Sequence, residues 1–220
     1  MKSFLLIAAF VIASCSTATN MQPVAETKPA TNAQQKSVKE VSATTSPKPS
    51  GQKYEFDKEH TTIMFAVDHL GFSNMIGTFK KYDGYFIFNE EHPELSFVDI
   101  TIKPAGISTS SYALDKELQG ENWFNVAKFP EAHFKSTKVE VTGDHKAEVT
   151  GWFTLKGITK PITLEVTFNK MGTHPIINKT VAGFKASTSI KRSDFDMNSF
   201  VPMVGEFVHI DIETEGLAVK

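Results

Sequence analysis

From Tyr54 to Lys220 the sequence predicts an all-β fold, an antiparallel up-and-down barrel or a sandwich with one short helical insert. Three observations lead there. Apolar and polar residues alternate along most of this segment, which is the period of a strand with one buried face. The same segment holds sixteen of the eighteen phenylalanines, both tryptophans and all four tyrosines, enough for a large core. Only Tyr112 to Gln119 reads as a helix, and Gly120 ends it.

The chain opens differently. Lys2, the uncharged run Ser3 to Ser14 and then Cys15 have the layout of a secretory leader over residues 1–14. The apolar run is too short to span a bilayer, which takes about 20 helical residues. Ile12-Ala13-Ser14-Cys15 resembles the lipobox of bacterial lipoproteins, in which the cysteine is acylated and the leader is cut just before it. Several acyl chains on one cysteine anchor stably, at about 0.8 kcal/mol per buried methylene. The resemblance implies an exported envelope lipoprotein. Ser16 in place of aspartate implies the outer membrane, facing the periplasm. As the only cysteine, Cys15 leaves no disulfide within one chain.

Residues 15–53 are expected to be the acylated cysteine and a disordered linker. From Ser16 to Lys53 there is no aromatic residue, so little apolar burial offsets the entropy of ordering. Five lysines and two glutamates give this stretch a net charge of +3. The segment from Tyr54 carries −6 and has no basic cluster, which argues against nucleic acid as a partner.

The strands are read next. Ile63, Phe65, Val67 and His69 share one face; Phe86 and Phe88 share another after Asp83-Gly84, whose chemistry favours a hairpin or bulge. Val98, Ile100 and Ile102 alternate up to Pro104. Val149, Gly151, Phe153 and Leu155 lead to a turn at Lys156-Gly157, followed by Ile162, Leu164, Val166 and Phe168. Phe184, Ala186, Thr188 and Ile190 form another row, and Val208, Ile210 and Ile212 the last. An eight-stranded barrel leaves an interior wide enough for side chains or one slim ligand, and closure removes exposed edges.

No familiar catalytic signature occurs: no G-x-S-x-G elbow, H-E-x-x-H, C-x-x-C, phosphate loop or dinucleotide fingerprint. The seven histidines form no pair at metal-ligand spacing on one strand face or helix. No metal and no cofactor is expected, apart from a lipid as ligand. Three polar residues stand out. His69 continues an apolar row, Asp115 lies on the helical insert, and Arg192 continues the row ending at Ile190. An inward arginine needs anionic company, from Asp194, Asp115 or a ligand phosphate, so the three form a candidate head-group site; the plainer alternative is a salt bridge closing the barrel. One phenylalanine in about ten residues exceeds what a small barrel needs as core, so some rings are expected to line a cavity. The residues expected around that apolar tunnel are Phe65, Val67, Phe79, Phe86, Phe88, Ile100, Ile102, Trp123, Phe124, Phe134, Phe153, Leu155, Leu164, Ile190 and Ile210.

Several short segments, in order, resemble one family. They are Phe65-x-Val67-x-His69-Leu70-Gly71-Phe72, Gly77-x-Phe79, Gly84-x-Phe86-x-Phe88, Trp123-Phe124-Asn125 and Phe129-Pro130-x-x-x-Phe134-Lys135-Ser136-Thr137. Gly151-x-Phe153-Thr154-Leu155-Lys156-Gly157-Ile158-Thr159-Lys160-Pro161 and Lys191-Arg192-Ser193-Asp194-Phe195 complete the set. Together they look like the YceI-like family of polyisoprenoid-binding proteins. The resemblance implies an extended lipocalin-like barrel of eight antiparallel strands over 54–220, often a homodimer, holding an isoprenoid, a quinone or another long-chain lipid. Where the family commonly has Arg-Asp-x-His-Leu this chain has Leu114-Asp115-Lys116-Glu117-Leu118, and Asp196 stands where glycine is usual. Both departures fall in the expected head-group segments.

Three function classes follow. The first is a non-catalytic lipid carrier or store, for which one isoprene unit contributes on the order of 3 to 4 kcal/mol before association costs. The second is an enzyme on a prenyl pyrophosphate, with His69 and Asp115 as acid-base groups and Arg192 on the phosphate. The third is a ligand-free barrel for protein contact, which a solid interior would indicate.

Overall fold

The computed structural model describes residues 48–220; the leader, Cys15 and the linker up to residue 47 lie outside the described residues. Eleven strands form one antiparallel sheet with the order β1-β4-β5-β7-β8-β9-β10-β11-β2-β3-β6, and β1 also pairs with β11. β1 (Gln52–Phe56) and β2 (Thr62–His69) lie end to end along the same neighbour, β11 (Val204–Ala218). β3 (Ser73–Phe79) and β4 (Tyr82–Phe88) form a second broken stave, and β5 (Phe97–Ile102) with β6 (Ile107–Thr109) a third. With β7 (Ala132–Gly143), β8 (Lys146–Leu155), β9 (Ile158–Thr173), β10 (Thr180–Lys191) and β11 these make a closed barrel of eight staves.

The breaks are stitched across. Lys80 N–H donates to Gly106 O at 2.8 Å and Lys103 N–H to Lys81 O at 2.8 Å, so the second and third staves kink together. In the first stave, Tyr82 OH donates to Thr61 O at 3.1 Å, and the Thr61 and Thr214 hydroxyls lie 2.7 Å apart. Asp57 and His60 shape the intervening turn: Asp57 accepts from the Glu59 N–H at 2.9 Å and holds His60 Nδ1 at 2.9 Å.

The helix α1 (Tyr112–Leu118) is where the sequence places it, with Ser111 as N-cap accepting from Leu114 N–H. Its buried Leu118 packs with Phe65, Ile107 and Trp123 and covers one end of the barrel. Inward rows are apolar, while outward residues such as Lys135, Glu165 and Lys185 are exposed. That is the reverse of a membrane-spanning barrel, whose outside is apolar.

Three expectations are corrected and one strand, β7, is added. The first strand begins at Gln52, before Tyr54, because Gln52 and Lys53 pair with Phe88 and Ile87. Asp83-Gly84 makes no turn: β4 runs through it, and Gly84 at φ +149° lies so close to β5 that a Cβ would stand 2.2 Å from Asp99 O. The glycine is there for close approach. β7 was hidden because a bulge between Ser136 and Lys138 shifts its register, breaking the two-residue period. Arg192 does not extend β10 but begins a 3-10 turn, Arg192–Phe195.

Candidate functional site

The inward rows do not fill the whole interior. They enclose two adjoining apolar chambers, of about 420 Å³ and about 140 Å³. Ile63, Ile100, Phe134, Leu164 and Ile212 belong to the walls of both. The larger volume lies in the range of about 300 to 1,000 Å³ common for small-molecule sites.

Phenylalanines from β1, β4, β9 and β10 form one ring cluster in the larger chamber's wall. Phe88 packs against Phe168 at 5.0 Å and Phe184 at 5.1 Å between ring centroids, and Phe86 meets Phe184 at 5.4 Å and Phe56 at 5.5 Å. These tilted and edge-on contacts hold the rings in place beside the space instead of letting them collapse into it. β5 pairs with β7 only from Asp99↔Lys135 to Ile102↔Ala132, so beyond Asp99 the ladder parts. Pro93 and Phe97 on one side and Val139 and Val141 on the other line that opening. Among the described residues lining this chamber, the ionisable ones are Glu90, Asp144, His145 and Lys146, from two turns at one end of the barrel. His145 sits 5.3 Å from the Phe168 ring, at the boundary between polar rim and apolar wall. Burial pushes the phenols of Tyr54 and Tyr82 above their ordinary pKa, with Glu90 adding to the rise at Tyr54, so both remain neutral and hydrogen-bonded.

The smaller chamber ends beneath α1 and Trp123, against Arg192. Arg192 is 2% exposed, and its guanidinium donates to four backbone carbonyls: Gly205 at 2.7 Å, Met197 at 2.5 Å, Ser199 at 2.9 Å and Val204 at 2.8 Å. It also lies 5.4 Å from the centre of the Trp123 ring. Burial lowers its pKa, against which the Glu206 carboxylate acts. Lys156, from the turn after β8, adds a second latch by donating to Asp196 O at 2.6 Å. These cations tie down the 192–205 segment at the end of the barrel that carries α1.

All fifteen residues expected around the tunnel line a chamber. Phe86 and Phe88 line the larger one, Ile100, Phe134 and Leu164 both, and the other ten the smaller. Of the expected head-group trio only Arg192 lines a chamber. His69 ends β2 and lines neither chamber. Asp115 accepts from the Thr109 N–H and hydroxyl, both at 2.7 Å, and so fastens α1 to β6. Arg192 reaches the smaller chamber, but its N–H groups are taken up by backbone carbonyls, while Asp194 pairs with Lys160 at 3.5 Å. The rim residues Glu90, Asp144, His145 and Lys146 escaped the sequence reading because they sit in turns whose approach depends on barrel closure.

On the outer surface Asp57, His60 and Glu215 place three potential metal-ligand atoms within 4.8 Å of one another. Burial pushes the Asp57 carboxyl up, but the hydrogen bonds from His60 and from the Glu59 and His60 backbone, with the nearby His60 charge, together outweigh it and lower its pKa; the bond to Asp57 raises that of His60. Together with the Glu59 contact, this accounts for the group as a turn clamp.

Comparisons with known proteins agree with this architecture. Residues 54–216 match the model of the YceI-like domain. Proteins called YceI from Salmonella arizonae and Salmonella heidelberg are each 39% identical over 170 residues, covering 76% of this chain and 88% of theirs. The crystal structure of the Campylobacter jejuni YCEI protein superposes with a TM-score of 0.64 at 29% identity, over 70% of this chain and 90% of that one. A polyisoprenoid binding domain from Saccharophagus degradans shares the fold at a TM-score of 0.60 and 12% identity, over 76% of this chain and 98% of its own.

Proposed function

Because the chain belongs to the YceI-like family, we propose that it binds a long-chain isoprenoid or similarly apolar lipid, as a carrier or store rather than a catalyst. The carrying observation is the larger chamber: about 420 Å³, apolar within, with its ionisable groups at the rim. A tail fits such a wall without leaving polar groups unpaired, and the rim would choose the head group. The polyisoprenoid binding domain with the same fold supports the ligand class. Within the reading, Cys15 is acylated and 15–53 tethers the barrel to the outer membrane on its periplasmic side, as Ile12-Ala13-Ser14-Cys15 and Ser16 suggest.

Fluorescence titration in detergent-free buffer, with prenyl alcohols short enough to stay dissolved and of increasing length, tests this. Each added isoprene unit should tighten binding about tenfold or more until the chambers are full, since part of its 3 to 4 kcal/mol transfer term survives ordering costs. Affinity independent of length would contradict it.

A further inference from the structure

We infer that the hairpin tip at 174–179 docks the open end of the barrel onto a lipid bilayer, so that the larger chamber faces the surface its ligand comes from. This rests on the lipid-binding reading above. Beyond the Thr167↔Lys146 pair β9 has no partner in β8, and with β10 it projects past the chamber wall that Phe168 helps to form. At its tip Ile176 is 86% exposed and Ile177 46%. Two adjacent isoleucines in water on a protruding turn are unfavourable for a soluble barrel and suited to an acyl layer.

The turn is also prepared for a dry environment. His174 N–H donates to Lys179 O at 2.8 Å and Asn178 N–H to His174 O at 3.0 Å. The His174 ring Nδ1 accepts from the Ile176 and Ile177 N–H groups at 3.2 and 3.4 Å, so the backbone donors of both apolar residues are already satisfied. An unsatisfied amide would oppose insertion. Lys170 and Lys179 flank the tip and can reach lipid phosphates with their stems along the interface.

Two further features select this end. Val141, in the chamber's opening, is 57% exposed. The preceding chain joins the barrel here too: Ser50 N–H donates to Leu95 O at 3.1 Å, in the loop that carries Glu90 and Pro93, so a membrane tether meets the barrel at its mouth. The opposite end has its own exposed apolar residues, Leu70, Phe72, Phe200 and Met203, but the chamber that ends there holds only about 140 Å³ and is backed by Arg192 and by Leu118 of α1.

Quenching by brominated acyl chains tests the docking. The full chain is mixed with vesicles of three parts phosphatidylcholine to one part phosphatidylglycerol, with an added tryptophan at Ile176→Trp or Phe72→Trp and the native chain as background. Emission from position 176 should be quenched and that from position 72 should not; an unquenched 176, or quenching at 72 instead, overturns the inference. As a second measurement, the double variant Ile176→Asp, Ile177→Asp should take a prenyl alcohol from these vesicles at least tenfold more slowly, with unchanged affinity for a short prenyl alcohol in detergent-free buffer. Unchanged uptake also overturns the docking. Failure of the native chain to bind the short alcohol in detergent-free buffer is a separate readout and removes the lipid reading, while quenching at 176 alone still supports the docking.

Discussion

Replacing Arg192 with methionine should destabilise the barrel by about 3 to 5 kcal/mol, the cost of leaving several buried carbonyls without a charged donor. The methionine keeps much of the packing against Trp123 but leaves the carbonyls of Gly205, Met197, Ser199 and Val204 without their donor. Each accepts from a charged donor in a site that is 2% exposed. Lysine should recover only part of the loss, since one ammonium cannot match the planar fork. Urea denaturation measures this. A change under about 1 kcal/mol would mean that water reaches the carbonyls and that the arginine does not tie down this end.

Filling the larger chamber should abolish tight lipid binding without unfolding the protein. Ala186 is buried, pairs with Val166 and Ile212, and points into that chamber. Ala186→Trp puts an indole where a tail would lie. Displacing about one isoprene unit removes on the order of 3 kcal/mol, or at least 100-fold in affinity for a prenyl alcohol. Because the indole enters empty space, the strain typical of an overpacked core should be largely avoided and the melting temperature nearly kept. Undiminished affinity with a folded variant would place the ligand outside the barrel.

The sequence made the fold legible wherever alternation runs unbroken. The rows Ile63 to Val67, Val98 to Ile102, Ile162 to Phe168 and Val208 to Ile212 are inward faces of β2, β5, β9 and β11. β7 was lost to its bulge, and β3, with Ser73, Asn74, Gly77 and Thr78, has too little apolar content to stand out. The chamber walls were legible for the same reason as the strands, because period two alone decides which side chains face in. The polar residues were not. Arg192 is inward, yet its partners are main-chain carbonyls of a turned segment, which no pattern of side chains encodes. Asp115 looked like a ligand group and is a helix fastening. The rim at Glu90, Asp144, His145 and Lys146 exists only because closure brings two distant turns to one end.

The most direct test of the central claim is native mass spectrometry of the full chain, purified gently from membrane-bearing cells, beside Ala186→Trp. The account predicts one long-chain apolar lipid per native chain, released on denaturation, and an empty variant. A native chain recovered empty, which then also refuses prenyl lipids offered to it, would contradict it.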